Sequence, residues 1–199
     1  MGLVPDELAD QAGQARDVVG HELVEVRYMT LDYRREEYPS GLVGKRFVTA
    51  DEEWRDPTWR CCGYDSVDWG VQLRLGAGRV FSVSWVRPGH LEGLDIRNKK
   101  LLGSMVDGDY DNVAVWDVTT RSHWSGLISQ RVSEVLLRYA QWAPGEPGLW
   151  LPRLTLRFSG GNVVEVLLGE GSAGQPVQAS ATNVAVLFDP PELPPWLKS

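Results

Sequence analysis

The chain has 199 residues, 43% of them hydrophobic and 24% charged, with a formal net charge of −7. That length can bury a core of its own, and the apolar content is too high for a disordered chain. Twenty basic residues against 27 acidic ones exclude a general nucleic-acid binder, which needs a basic stripe to displace counterions, and weigh against an anionic membrane surface. Cys61 and Cys62 are the only cysteines and are adjacent, which leaves no disulfide framework and no four-ligand zinc site of the thiolate kind. The opening residues, MGLVPDE, lack the basic and apolar regions of a signal peptide, and no apolar run approaches the length of a membrane span. A soluble cytoplasmic protein is the expectation.

In chain order, Pro5 suits a first helical turn and Asp6 and Glu7 suit its dipole. Leu8, Ala12, Ala15 and Val19 share one face of that short helix. Leu23 to Tyr33, rich in valine, tyrosine and threonine, reads as a strand. In 71–85, Val71, Leu73 and Leu75 and then Phe81, Val83 and Trp85 alternate with polar residues around Gly76-Ala77-Gly78, which predicts a β-hairpin. Ala77 resists a positive φ, so the expected turn is type I, closed by Gly78 in the left-handed region. Asn112 to Trp116 reads as a short buried strand, and Thr119 or Thr120 as the cap of a turn carrying Trp124, Leu127 and Ile128. Val132 to Trp142 predicts a second long strand. Leu154, Leu156 and Phe158, then Val164, Val166 and Leu168, flank a Ser159-Gly160-Gly161-Asn162 turn in a second hairpin. Asn183 to Phe188 is another strand. The Pro-rich tail 190–199 can be neither helix nor central strand, and is expected to lie extended on the surface, pinned by Trp196.

Three pieces of the first half recur in order in the second. VVGHELVEV (18–26) matches LISQRVSEV (127–135), LRLGAGRVFSV (73–83) matches LRFSGGNVVEV (156–166), and NVAVWD (112–117) matches NVAVLFD (183–189). The shifts of 109, 83 and 71 residues fall in one direction, as expected if the first copy carries insertions. The resulting reading is one globular domain over 1–199, mainly β. Repeat 1 spans about 5–118, with insertions near 34–68 and 87–110, and repeat 2 spans about 119–189. Each copy is a short helix or turn, a strand, a hairpin and a strand. Together they form a pseudo-twofold antiparallel sheet or a two-sheet sandwich.

Insertions are where a duplicated scaffold is free to carry function. The first holds Glu52, Glu53, Trp54, Trp59 and Tyr64, mixed charges and aromatics of the kind that dominate binding surfaces. The plainer and favoured reading is a long loop whose tryptophans fold back on the core. The second has acidic residues at 107, 109 and 111, the spacing of a calcium loop. The bidentate glutamate such a loop needs at its twelfth position is replaced by Val118, which favours a solvated turn. His90 and Glu92, two apart, would share a face of an extended segment, but no nucleophile elbow and no metal-binding histidine spacing accompanies them. No cofactor and no metal is expected.

Two functions follow as expectations. The first is a non-catalytic protein-binding module, an acidic protein that neutralises a basic partner in the manner of an immunity protein, using Glu52, Glu53, Trp54, Trp59 and Tyr64. The alternative is a small-ligand-binding or hydrolytic site in the cleft between the repeats, built from Asp65, Asp68, His90 and Glu92 together with Tyr64. Homodimerisation through an exposed strand edge is compatible with either.

Overall fold

The structure, a computed structural model, describes residues 3–32, 45–85, 93–103, 112–141, 148–172, 174–190, 192–194 and 196. Helix α1 spans Pro5–Arg16 and is followed by β1 (Leu23–Leu31), β2 (Arg46–Phe47), helix α2 (Asp51–Arg55), β3 (Arg60–Cys61) and β4 (Tyr64–Val67). Then come β5 (Gly70–Leu75), β6 (Val80–Trp85), β7 (Leu94–Arg97) and β8 (Val113–Asp117). The second half holds β9 (Val132–Gln141), β10 (Leu149–Phe158), β11 (Val163–Glu170) and β12 (Gln178–Phe188). They form two six-stranded sheets, in the orders β2-β8-β1-β5-β6-β7 and β3-β4-β12-β11-β10-β9. The protein is thus mainly β, a sandwich of two sheets. All pairings are antiparallel except that of β2 with β8, which is parallel.

The alternation that predicts the hairpins also builds the core. Tyr28, Leu73 and Phe81 from the first sheet meet Leu154, Val166 and Val186 from the second in one cluster, each at most 1% exposed. Burying a side chain of this size contributes about 1.5–3 kcal/mol, so the inner faces dominate the stability of the fold. Trp196 is pinned as expected, its indole N–H donating to the Val177 carbonyl oxygen at 3.3 Å over the outer face of the second sheet.

Several backbone bonds and one ion pair of the meanders β1-β5-β6 and β9-β10-β11 recur at shifts of 109 and 83 residues. Ser129 N–H donates to Leu23 O (2.9 Å) and Gly20 N–H to Val132 O (2.7 Å), while Leu23 N–H donates to Gln130 O and Val132 N–H to His21 O. A shift of 109 residues turns one bond of each pair into the other, on either side of the bridge between Glu22 and Arg131. Gly76 N–H bonds Glu22 O as Ser159 N–H bonds Arg131 O. The β1–β5 and β9–β10 registers break at the same place, just after Leu23 and just after Val132. The ion pair of Arg74 with Glu25 (2.9 Å) recurs as Arg157 with Glu134 (3.0 Å). The third recurrence does not share this geometry: β8 pairs with β1 at the head of its meander, whereas β12 pairs with β11 at the tail.

Several local expectations are corrected. Ala77 adopts the left-handed region (φ 61°) together with Gly78 (φ 73°), so the first hairpin turn has two reversed residues. In the second hairpin the Gln130 amide oxygen accepts from Gly160 N–H at 3.0 Å, and only Gly161 is reversed. The buried face of α1 is Gln11 and Ala15, continued by Val18; Val19 is 41% exposed because the helix ends at Arg16 and its periodicity stops there. Thr119 caps nothing. Its hydroxyl receives Val26 N–H at 3.0 Å and so ties the turn to β1. The first insertion is no simple loop, since it supplies β2, α2, β3 and β4, and β4 crosses to the second sheet to pair with β12 along Tyr64–Val67.

Candidate functional site

α1 lies along the free side of β7, the last strand of the first sheet. An uncovered edge presents unpaired backbone groups, and here side chains of the helix take the place of a neighbouring strand. Gln11 Nε2–H donates to Leu94 O at 3.5 Å, and Gln14 Oε1 accepts from Asn98 N–H at 2.9 Å. Gln11 also accepts the Tyr139 hydroxyl proton at 3.0 Å, which docks the helix onto β9 of the other sheet. The helix starts where Pro5 and the acidic first turn place it, with the Glu7 carboxylate accepting from Val4 N–H at 2.8 Å.

Between α1 and β7 is a groove of about 670 Å³. Asp6, Glu7 and Asp10 line it from the helix, and Asp95, Arg97 and Lys99 from the strand and the residues after it. Asp95 is paired with Arg97. Burial nevertheless pushes the Asp95 carboxyl above its ordinary range, against the pull of Arg97 and Lys99, and the charge of Asp10 adds to the rise. Four carboxylates therefore face two cations, one of which is already paired.

A second polar constellation is sealed between the sheets. Trp124 Nε1–H donates to the Tyr28 hydroxyl oxygen at 2.6 Å, and Tyr28 O–H donates to Asp65 Oδ2 at 2.7 Å. Tyr28 comes from β1 of one sheet and Asp65 from β4 of the other, so the chain of bonds staples the sandwich. Asp65 is 2% exposed, and loss of water raises its pKa to about 6, against the opposing effects of the Tyr28 bond and the charges of His123 and Arg60. Burial also holds the Tyr28 phenol well above its ordinary range, with the Asp65 charge adding to it.

The residues read from sequence as binding groups divide. Trp54 (8% exposed) and Trp59 (1%) are interior, packed edge-on with each other and with Trp116 at ring-centroid distances of 5.1 to 6.2 Å. They belong to the core, as the favoured reading has it, and offer no face to a partner in this conformation. The indole N–H of Trp59 is buried with no hydrogen-bond partner among the described residues. Tyr64 is buried, its hydroxyl donating to Gln175 O at 2.8 Å, and it lies against Gly171 so closely that a Cβ there would overlap it. Glu53 accepts both bonds of Arg46 Nη1 (2.9 and 2.7 Å), and Arg46 also bonds Asp32, so this acid locks α2 to β1 and β2. Glu52 alone of the five stands exposed.

Of the proposed cleft residues, Asp65 is the buried terminus just described. Asp68 accepts from Leu31 N–H at 2.9 Å at the end of β1. His90 and Glu92 lie outside the described residues, as do the acidic positions 107, 109 and 111. The inner faces of the two sheets meet in the hydrophobic cluster. No group of three or more His, Cys, Asp or Glu among the described residues is placed to hold a metal. Cys61 is half-buried with its thiol pKa raised by burial, and Cys62 is exposed. No helix among the described residues is long and apolar enough to cross a membrane. The groove itself is not legible in the sequence. Asp6 and Glu7 read there only as dipole partners, and nothing local says that β7 lies beside them. Comparison with family models, with curated proteins and with solved structures finds no match for this chain.

Proposed function

We propose that the protein is a non-catalytic binding module for a basic partner protein, of the immunity or inhibitor kind, and that the groove between α1 and β7 receives a cationic segment of that partner. The observation that carries this reading is the convergence of Asp6, Glu7, Asp10 and Asp95 on one groove of about 670 Å³. The excess of carboxylates over cations along this groove favours an incoming lysine or arginine, and complementarity of this kind governs association rate and partner choice. Glu52 on α2, together with exposed Asp51 and Asp56, adds acidic surface elsewhere.

The test is a pull-down of tagged full-length protein from native lysate, with an Asp6→Lys, Asp10→Lys variant beside it. A stoichiometric basic partner that is retained by the native chain, released by salt and lost in the variant is the expected result. Recovery of no partner, or of one indifferent to the two substitutions, refutes the assignment.

A further inference from the structure

β9 is the last strand of its sheet. Its residues Val132–Gln141 pair with β10 on one side, and on the other side Val135–Ala140 have no backbone hydrogen bond among the described residues. The matched meander shows what such an edge accepts. β1 is the counterpart of β9, and its corresponding side carries β8, paired antiparallel from Arg27↔Asp117 to Leu31↔Val113. The turn Ser122–Gly126, which precedes β9 as α1 precedes β1, does not stop β8 from pairing there. On β1 it is Val26 and Asp32 that bond towards the β8 side, to Val118 and Asn112. The shift of 109 makes Val135, Leu137, Tyr139 and Gln141 the outward-bonding residues of β9.

The outward side chains of that edge are self-complementary. Glu134, Leu136 and Arg138 alternate along the outer face. Arg138 sits directly opposite Arg153, whose guanidinium is already held by Glu165 at 2.8 and 2.9 Å, and makes no ion pair among the described residues. In an antiparallel pairing of two β9 strands with Leu136 opposite its own copy, each Glu134 faces the other chain's Arg138. The outward-bonding Val135 and Leu137 also face each other. Moving the register by two residues in either direction breaks the charge match.

We infer that β9 is the docking edge for a second copy of this chain, joined antiparallel about Leu136, so that the second sheets of two molecules become one continuous sheet. Two opposite-charge pairs and a central leucine contact are the specificity elements of the joint, each of the kind that stabilises neighbouring strands. None of the residues lining the acidic groove belongs to β9.

Sedimentation velocity over a dilution series of the full chain tests this, with Arg138→Glu, with Glu134→Arg, and with an equimolar mixture of the two variants. The native chain is expected to dimerise. Each single variant places like charges opposite one another twice and weakens self-association by about tenfold or more. In the mixture, one chain presents two arginines at these positions and the other presents two glutamates. Opposite charges then face each other again, and a dimer is recovered, which shows that both variants are folded. A native chain monomeric throughout overturns the inference, as does a dimer indifferent to the single variants or a mixture that gains nothing over them.

Discussion

The buried carboxyl of Asp65 makes stability depend on pH in a direction opposite to most acidic side chains. Folding raises its pKa from an ordinary 3.8 to about 6. Between those values the folded chain keeps a proton that the unfolded chain has released, so stability falls as pH rises through the window and levels off above about 6. At about 1.4 kcal/mol for each tenfold change in proton affinity, the full span is worth about 3 kcal/mol. Asp65→Asn removes the titration while keeping a carbonyl oxygen to accept the Tyr28 proton at the 2.7 Å position. Urea unfolding of both proteins from pH 3.5 to pH 8 isolates the difference, because Asp95 and every other carboxyl titrate in both. The variant is expected to gain on the native chain by up to about 3 kcal/mol across the window, with the gain complete by about pH 7. Parallel pH profiles would show that the carboxyl is not displaced, and the account of a desolvated acid between the sheets would then be wrong.

Three further outcomes follow from local geometry. Ser129 (φ 68°) and Gly20 (φ 87°) hold matched positions before β9 and β1. Ser129→Gly should therefore stabilise and Gly20→Ala destabilise by about 1 kcal/mol each, seen as opposite shifts in thermal midpoint. Gly171→Ala drives a methyl into the Tyr64 hydroxyl and should cost about 1–3 kcal/mol, with loss of the Tyr64 bond to Gln175 O. In a Tyr64→Phe background the same substitution should cost less; an equal cost would discount the overlap. Arg46→Met removes the guanidinium that bridges the Asp32 and Glu53 carboxylates, each 9% exposed. A loss of about 2–3 kcal/mol in denaturant unfolding is expected.

How much of this molecule is legible in its sequence depends on how local the cause is. Both hairpins can be read because alternation over five residues and a glycine at the reversal are local signals, and Pro5 with Asp6 and Glu7 marks the start of α1. The left-handed Ala77 is not legible. Its turn lacks the Gln130 cap that holds Gly160, and that cap comes from the segment before β9. β4 escapes a sequence reading because the four residues Tyr64–Val67 are too few to show a period, and their partner Leu187–Val184 is far along the chain. The same crossing explains why Asp65 reads as a cleft residue. A carboxylate in a charged insertion looks like surface until the strand carrying it is known to lie between two sheets. Trp54 and Trp59 are inside for the reason that their size suggests, which removes them from the binding face and leaves the acidic side chains of α1. The position of β9 at the edge of its sheet is a property of strand order, which no single segment encodes.

The crossing of β4 has a consequence for how the chain acquires its shape. Tyr64–Val67 are buried along their whole length, yet the strand that covers them is Val184–Leu187. During synthesis the first meander, whose contacts are close in sequence, can close early. β4 must stay exposed until the last part of the chain emerges, and at the usual pace of about 5–20 residues per second that delay is on the order of ten seconds. Closing so long a loop is slow, and until it closes β4 has β3 beside it but not β12. Substitutions in Tyr64–Val67 or Val184–Leu187 would therefore be felt first as a lower yield of folded protein at high expression temperature, before any loss of stability in the molecules that succeed in folding.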